Sequence, residues 1–311
     1  MPMINPQHWL SGFIADLPTP FDDDCGIDWP AFETLCEYQI RSGATAMVTG
    51  ETMGEASTLS RRERAELVSR AVSIARGRIA IIAGAGSNST TQAIELTAIA
   101  EAEGADAVLS VVPYYNKPMQ AGMLAHFQAI AASTGLPILL HDNPSRTMRE
   151  LSDETILLLS QSARFVGLSD ATGSVARLFR LRSILPPRFR LLCGDDVNAV
   201  AWLASGGDGC ISAVTNLFPD LCRRVYQDAA RGDLAFSRDL AARLARLGAA
   251  ISGDAPVAAL KCAMELLGFM KPIVRLPMVE LDREEQRTVA RAIAAITEPA
   301  KALESSFSVF S

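Results

Sequence analysis

The chain is 311 residues long, 49% hydrophobic and 21% charged, with a formal net charge of −6. That much apolar material fills a large core, and an acidic balance without any lysine–arginine run argues against a nucleic-acid partner. No apolar stretch is long enough to span a bilayer, and the N-terminus lacks the basic-then-apolar form of a secretory signal, so a cytoplasmic protein with no membrane partner is expected. Cys25, Cys36, Cys193, Cys210, Cys222 and Cys262 show no metal-ligand spacing. They read as reduced core thiols, with neither metal nor cofactor implied.

Eight short apolar runs punctuate the chain. In order they are Phe13–Leu17, Ala46–Thr49, Ile79–Ala83, Ala107–Val112, Pro137–His141, Phe165–Ser169, Phe189–Cys193 and Gly209–Ser212. They rarely alternate, which is how parallel strands buried on both faces read. Amphipathic stretches lie between them. Ser60-Arg61-Arg62-Glu63 has the form of a capping box and opens one helix. Residues 90–103, 120–133, 152–162 and 174–185 repeat apolar positions at helical spacing. The alternation predicts an α/β fold, a closed (β/α)8 TIM barrel.

An open doubly wound sheet would bring a glycine-rich phosphate loop after its first strand. The residues there, Thr19-Pro20-Phe21-Asp22-Asp23-Asp24, are acidic instead. From about residue 218 to residue 302 the pattern is helical without a strand, with breaks predicted at Gly232, 248–254 and 271–277. This predicts one unit, a barrel over about 10–232 and a C-terminal helical extension over about 233–311, with 304–311 expected to fray.

Active sites of such barrels lie at the C-terminal ends of the strands. The residues there are Gly50-Glu51-Thr52-Met53-Gly54-Glu55, Pro113-Tyr114-Tyr115-Asn116-Lys117-Pro118, His141-Asp142-Asn143-Pro144-Ser145-Arg146-Thr147, Gly167-Leu168-Ser169-Asp170-Ala171-Thr172-Gly173, Gly194-Asp195-Asp196 and Gly209-Cys210-Ile211-Ser212. His141 can carry protons near neutral pH. Arg146 offers a fork of donors suited to a carboxylate. Glu51 reads equally as a solvated loop charge. Ser169 with His141 and Asp170 suggests a weak nucleophilic triad, although no Gly-x-Ser-x-Gly elbow accompanies it.

The second, third and fourth of these segments resemble the dihydrodipicolinate synthase/N-acetylneuraminate lyase family, and the likeness runs from Phe13 to about Pro277. The resemblance implies a (β/α)8 lyase without cofactor or metal that binds a small 2-oxo acid as an imine on a lysine. It also implies an even-order homo-oligomer, a homodimer or homotetramer, in which Tyr115 crosses into the neighbour's site to complete a proton relay through Thr52. The family's adjacent hydroxyls and N–H groups at positions 52 and 53 hold the substrate carboxylate. Here Met53 replaces a threonine, His141 replaces the proton-transfer tyrosine, and Ser169 replaces the lysine. Four lysines occur, Lys117, Lys261, Lys271 and Lys301, and none falls at a position suggesting recruitment.

The expected catalytic residues are His141, Tyr115, Thr52, Ser169 and Asp170. Substrate contacts are expected from Thr52, Met53, Arg146, Gly194 and Ile211. Three functions remain open: a lyase or hydro-lyase working on a 2-oxo acid or carboxylate without an imine, a non-catalytic metabolite-binding or regulatory paralogue, and ordinary 4-hydroxy-tetrahydrodipicolinate synthase activity on pyruvate and aspartate semialdehyde. The replaced residues favour the first two.

Overall fold

The computed structural model describes residues 9–297. Strands β1 (Gly12–Asp16), β2 (Ala46–Thr49), β3 (Ala80–Gly84), β4 (Ala107–Val111), β5 (Ile138–Asp142), β6 (Phe165–Asp170), β7 (Arg190–Cys193) and β8 (Gly209–Ser212) each pair in parallel with the next. β8 returns to β1 and closes the barrel, with Ile14 opposite Ile211. The helices of the outer ring are α1 (Trp29–Ser42), α2 (Arg61–Ala75), α3 (Thr90–Ala102), α4 (Gln120–Ala132), the short α5 (Pro144–Thr147), α6 (Asp153–Ser160), α7 (Val175–Ile184), α8 (Ala199–Ala204) and α9 (Pro219–Arg231). Three more, α10 (Leu234–Ile251), α11 (Pro256–Leu266) and α12 (Arg283–Thr297), form the C-terminal helical extension.

The core has two layers, and strand geometry assigns each residue to one of them. Ile14, Val48, Ile82, Leu109, Leu139, Leu192 and Ile211 fill the barrel interior. Their strand neighbours, including Ala15, Met47, Ile81, Val108, Leu140 and Leu191, pack outward against the helices. Successive side chains on a strand point to opposite faces. Both faces are apolar here, which is why the runs do not alternate in the sequence. The same parity governs the polar residues at the strand ends.

The predicted capping box is present: the Ser60 hydroxyl accepts from the Glu63 N–H, and the Ser60 N–H donates to the Glu63 carboxylate at 2.8 Å. Two expectations are corrected. β5 and β6 each run one residue further than read, to Asp142 and Asp170, because these two residues pair across the strands. The predicted break at 248–254 falls too early, since α10 runs through Gly248 to Ile251. Gly248 marks a close approach instead: a Cβ there would lie 2.9 Å from the Asp196 side chain, so the glycine lets α10 lie against the loop after β7. Gly232 does end α9, in the left-handed conformation. The fraying expected for 304–311 lies outside the described residues. Among the described residues, no helix is long and apolar enough to cross a membrane.

Candidate functional site

A cavity of about 260 Å3 opens at the C-terminal ends of the strands. It lies just below the usual range for drug-sized ligands, roughly 300–1,000 Å3, so it suits a small metabolite. Its floor follows from parity. Ile14, Leu109, Leu139, Leu192 and Ile211 fill the interior below, so residues an even number of steps further along the same strands also face inward. Asp16 on β1 and His141 on β5 are such residues, and both line the cavity. Ser169 lines it as well, opposite His141 in the β5–β6 register.

Ser169 is fully buried, and its hydroxyl has no hydrogen-bond partner. His141 is 7% exposed, and its Nδ1 likewise has none. Buried polar atoms are normally paired. Two unpaired ones side by side on a cavity wall mark groups available to a ligand. Gly194 at the end of β7 keeps this wall open: a Cβ there would lie 3.0 Å from the Ser169 hydroxyl.

Asp170 does not belong to this wall. Being one residue beyond Ser169, it faces the helices, as Asp142 does beyond His141. Arg177 on α7, 1% exposed, reaches both carboxylates, at 2.7 Å to Asp142 and 3.1 Å to Asp170, and donates to the Leu151 carbonyl at 2.6 Å. The other Asp170 oxygen accepts from the Thr172 N–H at 2.8 Å and the Thr172 hydroxyl at 2.6 Å. Burial pushes the Asp142 carboxyl up to about 6 despite Arg177, while the two carboxylates raise the guanidinium. The expected catalytic role of Asp170, and with it the Ser169–His141–Asp170 triad, is therefore corrected.

The loop after β2 turns inward. Gly50 adopts a left-handed conformation, and a Cβ on Gly84 would lie 2.3 Å from the Gly50 carbonyl oxygen, so both glycines are needed for the loop to cross the end of β3. Glu51 is 6% exposed and lines the cavity, which corrects the reading of a solvated charge. Its carboxylate accepts from the N–H and the hydroxyl of Thr52. The Met53 N–H donates to Asp16 at 3.3 Å. The donors of positions 52 and 53 are thus occupied by the chain's own carboxylates. Asp16 is 8% exposed, and its other oxygen has no partner. Burial, then the neighbouring Glu51, holds its carboxyl well above the usual carboxylate range, while Arg146 acts in the opposite direction.

Arg146, Met53, Thr52, Gly194 and Ile211 line the cavity as expected from the strand-end positions. Arg146 pairs with no described carboxylate. Asp195 and Asp196 also contribute to the lining. Asp196 is engaged by the Ser212 hydroxyl and by the N–H groups of Ala213 and Val214 at 2.8 and 3.2 Å. Burial pushes its carboxyl up to about 6. Tyr115 lies outside the cavity. It is 89% exposed and left-handed at φ 70 on its proline-flanked loop.

No described lysine lines the cavity. Lys261 is fully buried elsewhere, paired with Glu55, bonded to the Ile273 carbonyl at 2.8 Å and 4.0 Å above the Phe21 ring. Burial pulls its ammonium down to about 8. Lys271 pairs with Asp23 on the surface, Lys117 is exposed, and Lys301 lies outside the described residues. Among the described residues no group of three or more His, Cys, Asp or Glu could hold a metal ion. The residues that sequence reasoning missed are Asp16 and Arg177. Asp16 had a readable signal, as an acid two residues beyond Ile14 inside an apolar run. Arg177 had none, because its partners come from three other segments.

The chain matches the model of the dihydrodipicolinate synthetase family over residues 9–296. It is 42% identical to the 4-hydroxy-tetrahydrodipicolinate synthase of Rhodospirillum centenum over 281 residues, 90% of this chain and 96% of that protein. It is 38% identical to the enzyme of the same name from Anaplasma marginale (strain Florida) over 287 residues, 92% and 95% of the two chains. Among solved structures, the chloride-inhibited dihydrodipicolinate synthase from Acinetobacter baumannii complexed with pyruvate matches with a TM-score of 0.88 at 36% identity, covering 92% of this chain and 99% of that one.

Proposed function

Because this chain belongs to the dihydrodipicolinate synthetase family, we propose that it is a lyase for a small 2-oxo acid or related carboxylate that works without an imine. The observation that carries this reading is Ser169 on the cavity wall, where an imine would need an amine, with no described lysine lining the cavity. A hydroxyl cannot condense with a carbonyl to form an imine.

In this reading Arg146, free of any described carboxylate partner, holds the ligand carboxylate. His141, with a ring nitrogen unpaired on the cavity wall, takes a proton from the ligand and returns it to the leaving group. The Ser169 hydroxyl donates to the ligand oxygen beside it. Thr52 and Met53 line the pocket, and Gly194 and Ile211 shape its floor. No cofactor is required. The exposed Tyr115 on its rigid loop supports an even-order homo-oligomer, a homodimer or homotetramer, in which the loop meets a second copy. The six free cysteines support a reducing, cytoplasmic setting.

A second reading, 4-hydroxy-tetrahydrodipicolinate synthase, is favoured by the names of the relatives, which match over nine tenths of both chains. It requires a lysine imine. The two separate by intact mass after borohydride treatment with pyruvate. No adduct is expected, and a stable adduct on any lysine overturns imine-free chemistry. Turnover of a bound acid should then fall about 10²–10⁴-fold in His141→Ala. Binding without turnover in the wild type would identify a non-catalytic metabolite-binding protein instead.

A further inference from the structure

The end of β2 is arranged to repel a carboxylate. An anion placed there would need the N–H groups of Thr52 and Met53 and the Thr52 hydroxyl, and these already donate to Glu51 and Asp16. Two carboxylates converge on this corner, both more than nine-tenths buried and both lining the cavity. One oxygen of Asp16 has no partner at all. A buried polar atom left without a partner is costly, so this oxygen is open to a donor from a ligand. Neither carboxylate forms an ion pair with a described cation: Arg146, which follows β5 and also lines the cavity, and Arg64 act on Asp16 and Glu51 only through their charge.

We propose that the Asp16–Glu51 corner is a subsite for an ammonium group, so that the pocket takes a small zwitterion whose carboxylate meets Arg146 and whose amine meets Asp16 and Glu51. This deepens the reading above and rests on the pocket it assigns. An ammonium group fits the corner better than a metal ion, because the corner combines two carboxylates whose other lone pairs are partly spent on N–H and O–H donors. Among the described residues no group of three or more acidic, histidine or cysteine ligands is available to a metal. An ammonium has three donors on one atom and can satisfy the unpaired Asp16 oxygen and Glu51 together. It would also favour the charged form of Asp16, which burial and then the neighbouring Glu51 disfavour. The cavity of about 260 Å3 restricts the ligand to a compact chain.

The test is calorimetric binding to the full chain at neutral pH, using matched pairs. One series consists of straight-chain amino acids from glycine to 6-aminohexanoate. The other consists of the monocarboxylates of equal length, with pyruvate and ethylammonium added. The best amino acid should bind at least about tenfold more tightly than its carboxylate isostere. Asp16→Asn and Glu51→Gln should each collapse that ratio while leaving the affinity for the plain acids unchanged or higher. Arg146→Gln should weaken all the acids and spare ethylammonium. Urea midpoints confirm that the variants are folded, which these near-isosteric changes at a repelling pair favour.

Equal affinity for amino acid and isostere, or a ratio that survives both acidic-residue variants, overturns the subsite. If pyruvate binds through Arg146 without any amine preference, the subsite fails and the carboxylate reading stands. If amines bind through Asp16 and Glu51 while no acid depends on Arg146, the subsite stands and the carboxylate reading fails. No binding by any member of the series overturns the subsite.

Discussion

His141 and Ser169 stand side by side on the inner face of β5 and β6, and Asp142 and Asp170, one residue further along each strand, stand side by side on the outer face. The outer pair is bridged by Arg177, and the Leu151 and Thr172 backbones add further bonds, with one Asp142 oxygen left over. The inner pair keeps its Nδ1 and hydroxyl unpaired against a cavity. A pair of carboxylates one step away from the site thus reads as scaffold, while an imidazole and a hydroxyl read as chemistry. What separates them is whether a partner is built in. The carboxylates tied to Arg177 hold the fold, and the unpaired groups that also face the cavity are open to a ligand.

The comparison breaks most clearly at Arg177. Arg177→Ala leaves two buried carboxylates uncompensated, and urea denaturation should show a loss of about 3–5 kcal/mol. A loss below about 1 kcal/mol would mean that the outer pair is as free as the inner one.

Asp196 sharpens the comparison, because it lines the cavity yet is fully engaged by Ser212, Ala213 and Val214. Its folded-state value of about 6 lies above the ordinary carboxylate value of 3.8. The folded protein therefore binds its proton more tightly than the unfolded chain does. The resulting stability is fully present below the unfolded value and is lost as pH rises through about 6. Relative to Asp196→Asn, the wild type should gain about 1 kcal/mol between about pH 7 and about pH 5. A difference independent of pH would remove the burial effect.

The smallest effect is expected at Ser169. Ser169→Ala removes an unpaired hydroxyl from a buried wall, so thermal or urea stability should stay within about 0.5 kcal/mol of wild type, or rise. A loss of more than about 1 kcal/mol would reveal a structural partner and erase the contrast with Asp170.

Much of the scaffold was legible in the residues. The eight apolar runs matched the strands to within a residue at each end, because burial on both faces leaves no other reading for such short segments. Ser60 and Glu63 announced their helix start because a capping box is local chemistry. Gly248 misled because a glycine that breaks a helix and one that permits a close approach look alike until the neighbour, here Asp196, is known. Asp170 misled for a related reason. One extra strand residue, set by pairing with Asp142, decides which face a side chain takes, and strand ends are where local signals are weakest.

The order of elements, the barrel and the location of the site at the strand ends follow from the sequence itself, since they depend on local propensity and on a period of two along each strand. The site's electrostatics do not. Asp16 and Glu51 are 35 residues apart, and Arg177 joins Asp142, Leu151 and Asp170 from three separate segments. Only closure of the barrel brings these groups together, and only their burial makes each charge depend on the partner it meets.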